Sequence, residues 1–234
     1  MNRFKQVPLT MVVLVFVALL VVPFASAQSE PVELTFVPHI AIGAAEQDVL
    51  LANDEGELWR VGGDTPISSL SQPLFASTTG AEHDPFQVNE NPLGPYEQGT
   101  ELGFTLGEWL AASGSGTYTV NGDTAMLEAS FKNLVPNGVY TMWCSRVFLP
   151  PAFEIRNYPC GDAEGTENTF VADEDGNATF TLEIPVMEDS TEEVLSLFAI
   201  NYHSDGNTYG ADPGNFGFNA HVQLLAPIPA PMSE

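Results

Sequence analysis

Positive charge is what this chain has least of. Lysine and arginine number 6 against 31 aspartates and glutamates, for a formal net charge of −25. Arg3 and Lys5 fall in the first 27 residues, where there is no acid, so the rest of the chain carries about −27. A surface of that sign repels phosphodiester backbones and anionic lipid, which excludes nucleic acid as a partner. Cysteine is nearly as scarce, with 2 residues, too few for a zinc cluster or a multi-bridge framework. Extended helical periodicity is missing beyond the opening residues. So are the G-x-S-x-G elbow, H-E-x-x-H, the Walker loop and the dinucleotide fingerprint. These absences point away from an enzyme.

The opening residues read as an export signal. Arg3 and Lys5 precede an apolar run from Val7 to Phe24, and Ala25-Ser26-Ala27 supplies small residues for cleavage before Gln28. The sequence thus predicts a secreted protein with residues 1–27 as leader and no membrane span after cleavage. In an oxidising compartment the two cysteines, Cys144 and Cys160, are expected to pair.

Alternation dominates the chain beyond residue 27. Ala125, Leu127, Ala129 and Phe131 alternate with Met126, Glu128, Ser130 and Lys132, the period of a half-buried strand. Val139 to Val147 forms a second strand with large apolar groups on both faces, as in a central strand covered on both sides. Between them Pro136 and Asn137-Gly138 carry turn chemistry, compatible with a hairpin or with a corner. Further strands are expected at 31–42, 48–52, 57–61, 117–120, 169–172, 178–186, 193–203 and 218–225. The pairs 48–52/57–61 and 169–172/178–186 read as hairpins. Residues 148–160, with Pro150, Pro151 and Pro159, read as an irregular connection, and 62–100 as a long loop. Thr105 and Glu108 form a capping box for one short helix that Trp109, Leu110, Ala111 and Ala112 complete, stopped by Ser113-Gly114-Ser115-Gly116. The predicted fold is all-β: an antiparallel, Greek-key-like β-sandwich with one short helix and long loops. Residues 28–100 make an N-terminal region packed on a sandwich core at 101–226, and 227–234 a proline-rich tail.

Leu134, Pro136 and Tyr140 stand at the spacing L-x-P-x-x-x-Y. This resembles the tyrosine corner of fibronectin type III and related immunoglobulin-like sandwiches. There the hydroxyl bonds back to the backbone and the leucine fills the core. The resemblance spans about 20 residues and implies a sandwich and no activity.

The candidate site lies near the C-terminus. Tyr202, His203, Asp205, Tyr209, Asp212, Phe216 and His221 cluster in and around the glycine-rich loop 204–217, and with segment 62–100 that loop forms the expected working surface. The expected role is a binding or structural module for an extracellular ligand, protein or glycan, with no cofactor. One alternative is a divalent metal held by His203 and His221, if their strands pair and bring the imidazoles together. The other is an extracellular hydrolase, since 31 acids offer many carboxylate pairs. Tyr96, Trp109 and Tyr158 are further aromatics near loops that suit stacking on a sugar or peptide. Asp173, Asp175 and Asn177 have the rhythm of a calcium loop, but Ala178 and Ile184 break it, and an acidic turn is the better reading. Asn177-Ala178-Thr179 is a formal glycosylation sequon.

Overall fold

The computed structural model describes residues 29–38, 49–61, 65–79, 94–151 and 154–229. The stretch 1–27 read as a leader, His39, His83 and the last five residues of the expected tail lie outside them. Among the described residues thirteen strands, β1 to β13, pair only in antiparallel fashion. The protein is an all-β sandwich.

One sheet has the order β1 (Val32–Phe36), β6 (Ser113–Asn121), β7 (Thr124–Lys132), β11 (Ala178–Pro185). The facing sheet runs β10 (Thr169–Val171), β8 (Val139–Phe148), β12 (Val194–His203), β13 (Ala220–Pro227), with β9 (Glu154–Pro159) also on β8. A third sheet orders β3 (Leu58–Arg60), β2 (Leu50–Ala52), β4 (Pro73–Ser77) and β5 (Gln98–Thr105). Helix α1, Leu106–Leu110, carries the expected capping box: the Thr105 side chain accepts from the Glu108 amide, and Glu108 accepts from the Thr105 amide.

The main core lies between the two large sheets. Leu34, Phe36, Leu127, Phe131 and Phe180 from one meet Tyr140, Met142, Phe198, Ile200 and Leu224 from the other. Leu74 and Leu51 of the third sheet and Trp109 of α1 extend it. A second cluster covers the opposite face of β8 and β12 with Trp143, Val147, Leu197 and Ala199, so β8 is buried on both faces as its sequence requires. Rings run through the main core in contact, Phe36 to Phe131 at 5.0 Å, Phe131 to Phe170 at 5.3 Å, Phe170 to Tyr140 at 5.4 Å and Tyr140 to Tyr202 at 5.6 Å.

β7 and β8 share no ladder and lie in different sheets, so of the two readings open for 133–138 the structure has the crossing corner. Several local expectations are corrected. β10 pairs with β8 and β11 with β7, so the turn at 173–177 also crosses between sheets. The connection 148–160 contains β9, whose one proline, Pro159, excludes a central position but tolerates an edge. The long segment 62–100 contains β4 and a 3-10 turn at Ile67–Ser71. Ser113-Gly114-Ser115-Gly116 is strand, not a stop. A Cβ at Gly114 would stand 2.5 Å from the Phe131 ring, so glycine is there for close approach. β1 belongs to the sandwich itself, and β5 crosses the expected boundary at residue 100. Cys144 and Cys160 are bonded, with Cα atoms 5.1 Å apart, and tie β8 to the end of β9. Among the described residues no helix is long and apolar enough to cross a membrane.

Candidate functional site

Strands β12 and β13 pair as a long antiparallel ladder, Tyr202 opposite His221 and His203 opposite Ala220. That register decides the metal reading. Cross-strand partners share a face and sequence neighbours take opposite ones, so His203 and His221 point to opposite faces of the sheet. His221 packs beside the Tyr202 ring at 6.0 Å, on the face of the main core. His203 lies on the other face, its Nε2 2.8 Å from Thr141 Oγ1, which also accepts from Trp143 Nε1 at 2.8 Å. The chelate of that alternative is not assembled, and among the described residues no group of three His, Cys, Asp or Glu is placed to hold a metal.

Burial holds His203 as the neutral imidazole. Desolvation lowers its pKa to about 4, against the opposing pull of the Asp205 carboxylate, and His221 lowers it further. Tyr202 is pushed up, chiefly by burial and then by Asp205.

The loop between the strands is held by its own side chains. The Tyr209 hydroxyl donates to Asp205 Oδ2, and the Asn219 amide donates to the Tyr209 oxygen. Asp205 Oδ1 accepts from the Asn207 amide at 3.0 Å, and Asn219 Oδ1 from the Asn215 amide at 2.8 Å. Desolvation acts to raise the Asp205 pKa, but the bonds from Tyr209 and Asn207 outweigh it and leave a carboxylate. The bond to Asp205 raises Tyr209 to about 12. Asp212 accepts from the Gly214 amide at 2.8 Å and shapes the turn. Phe216 packs against the second apolar cluster, so it anchors the loop rather than facing a ligand.

The loop does meet the segment singled out with it. The Ser77 amide donates to Gly217 oxygen at 2.8 Å, joining β4 to the loop. Beside that contact a cleft of about 290 Å³ is lined by Ser77, Thr100, Glu101, Tyr202, Ser204, Asp205, Phe218 and Asn219, with Ala76 and Leu102. Ser77 is 1 % exposed, and its hydroxyl has no hydrogen-bond partner among the described residues. Phe218 is 42 % exposed at the rim. Ser204 Oγ stands 2.9 Å from His221 Nε2.

Of the sequence candidates, Tyr202 and Asp205 line this cleft. His221 backs it through Ser204, His203 faces away from it, and Tyr209 and Asp212 support its loop. Ser77, Glu101, Ser204, Phe218 and Asn219 are not separable by sequence reasoning, because nothing local marks a serine or glutamate as facing a distant loop. Asp173 Oδ1 accepts from the Asp175 and Asn177 amides at 3.0 and 2.7 Å, so this acidic turn is closed on its own backbone. Compared with known proteins, the chain matches no protein-family model and no curated protein.

Proposed function

We propose that the chain is an exported binding module of the tyrosine-corner sandwich type, and that its cleft takes a small hydroxyl-rich ligand, the terminal residue of a glycan. The observation that carries this is the Ser77 hydroxyl, buried in the cleft lining without a partner among the described residues. A polar group left so is costly unless something bonds to it. Around it Glu101 and Asp205 accept from hydroxyls, the Tyr202 hydroxyl offers a donor, and the Phe218 ring at the rim suits the apolar face of a sugar. The bond that the Val135 amide donates to the Tyr140 hydroxyl oxygen supports the sandwich type.

Glycan-array screening of the purified full chain, followed by calorimetry on the best ligand, tests this reading. Glu101→Gln and Phe218→Ala are each expected to weaken binding by about tenfold or more, with no change in melting temperature. The absence of any bound glycan, or binding indifferent to both substitutions, overturns it.

A hydrolase is the second reading, favoured by Ser204 and His221, a hydroxyl and an imidazole within hydrogen-bond reach beside the cleft. A fluorophosphonate probe separates the two. It modifies Ser204 only if His221 activates that hydroxyl, and a protein that stays unmodified is a binding module alone.

A further inference from the structure

A second concavity lies away from that cleft, between β9 and the connection from β11 to β12. We propose that it binds a hydrophobic carboxylic acid, with Arg146 receiving the carboxylate.

The groove measures about 460 Å³, within the range of small-molecule sites. Its walls are Pro159, Pro185, Val186, Met187 and Tyr158, and Cys144 of the disulfide lines it as well. Tyr158 is 52 % exposed and Val186 39 %, so an apolar and aromatic surface stands open to solvent. The walls are fixed: β9 is laddered to β8, and the Met187 amide donates to the Tyr118 hydroxyl at 2.8 Å. Such a surface takes an alkyl or aryl chain rather than a sugar.

The head group is selected by Arg146. Of the four cations left after residue 27, two stand opposite each other in the β8–β9 ladder, Arg146 and Arg156. Like charges in that relationship repel. Both guanidinium groups lie over Phe148, at 5.5 and 4.6 Å. Arg156 is engaged in two parallel bonds to Glu154. Arg146 is not so filled. Its Nη2 meets Glu188 at 2.6 Å, while its Nε is buried and has no hydrogen-bond partner among the described residues. A guanidinium presents donors as a fork that matches both oxygens of a carboxylate. The Glu188 side chain is 73 % exposed against 24 % for Arg146, so the acid is the partner that can swing away into water while the guanidinium stays in place. Glu188 is therefore the internal competitor that an incoming carboxylate displaces.

This site shares no lining residue with the glycan cleft and does not depend on it. Calorimetry and thermal shift on the full chain with octanoate, octanol and octylammonium test it. Octanoate is expected to bind saturably and to raise the melting temperature, and the alcohol and the amine to do neither. Arg146→Met should weaken octanoate at least tenfold. Glu188→Gln should tighten it several-fold, because the competitor is gone. A groove that is merely packing predicts the reverse for Glu188→Gln, a loss of stability with no gain in affinity. No saturable octanoate binding, equal binding of octanol, or an unchanged affinity in Glu188→Gln each overturns the proposal, and the last needs no disruption of the arginine.

Discussion

Tyr140 donates its hydroxyl proton to Gln223 Oε1 across 2.9 Å. The same hydroxyl oxygen accepts from the Val135 amide at 2.8 Å. Gln223 is the extra residue of a β-bulge in β13, falling between the pairs Ile200–Leu224 and Asn201–Val222. The bulge turns its amide into the core, where Nε2 also donates to the Trp109 carbonyl at 3.2 Å. One glutamine thus ties the corner, the last strand and the short helix together. Burial raises the Tyr140 pKa well above the ordinary tyrosine range, so the hydroxyl keeps its proton.

Tyr140→Phe leaves both the Val135 amide and Gln223 Oε1 without that partner. The expected loss is about 1–3 kcal/mol in chemical denaturation. Leu134→Ala, in the same corner and also buried, should cost about 2–5 kcal/mol. A double-mutant cycle of Tyr140→Phe with Gln223→Leu should show coupling above about 0.5 kcal/mol. A silent Tyr140→Phe would remove the corner from the account of stability.

Acid should unfold the protein in part through His203. Its pKa in the folded state is lowered to about 4 from an ordinary 6.5, so between those values the unfolded chain binds a proton that the folded one refuses. The stability due to neutral His203 is complete above pH 6.5 and is lost progressively down to pH 4, by at most about 3 kcal/mol. His203→Gln should flatten stability against pH in that window, measured by urea denaturation at several pH values. The carboxylates held low by hydrogen bonds, Asp162 and Asp173, act only at more acid pH. An unchanged slope in His203→Gln would assign the acid response elsewhere.

Removing the disulfide should be tolerated at a cost. Cys160→Ser opens a loop of sequence separation 16, worth about 3 kcal/mol in the unfolded chain. The edge strand β9 should loosen first, seen as faster amide exchange at 154–159 with β12 still protected.

Salt should raise the melting temperature at pH 7. With 31 acids against 6 bases, screening relieves repulsion in the folded state more than in the expanded one. A melting temperature flat from low to molar NaCl would show the charges to be too dispersed to matter.

The strands with clean alternation or double-sided burial, β7, β8, β11 and β12, are legible in the sequence because each carries its own period. So is the capping box, a contact between residues three apart. Which sheet a strand enters is not legible. Pro136-Asn137-Gly138 serves a hairpin and a corner equally well, and only the partner of β8 decides. Gly114 and Gly116 look like a break because the rule that explains them, the Phe131 ring and the Glu128 carbonyl beneath them, comes from another strand. At the site, loop 204–217 and segment 62–100 stand out in the sequence as long and poor in periodicity, but the bond that joins them, from the Ser77 amide to Gly217 oxygen, has no local signal. The parity of His203 and His221 is not legible either, because a shift of one residue in register reverses it.

Val37, just past the end of β1, bonds in both directions with Leu225 of β13, while β1 itself pairs with β6 in the other sheet. The first described strand therefore latches the two sheets by holding the last described one. Until both of these strands have arrived, the sandwich stays open on that side. Folding should be slow, on the millisecond-to-second scale of non-local β topologies, with a single late step that protects Val37 and Leu225 together. Synthesis and folding then run in opposite orders: the first described strand to be made is among the last to be locked.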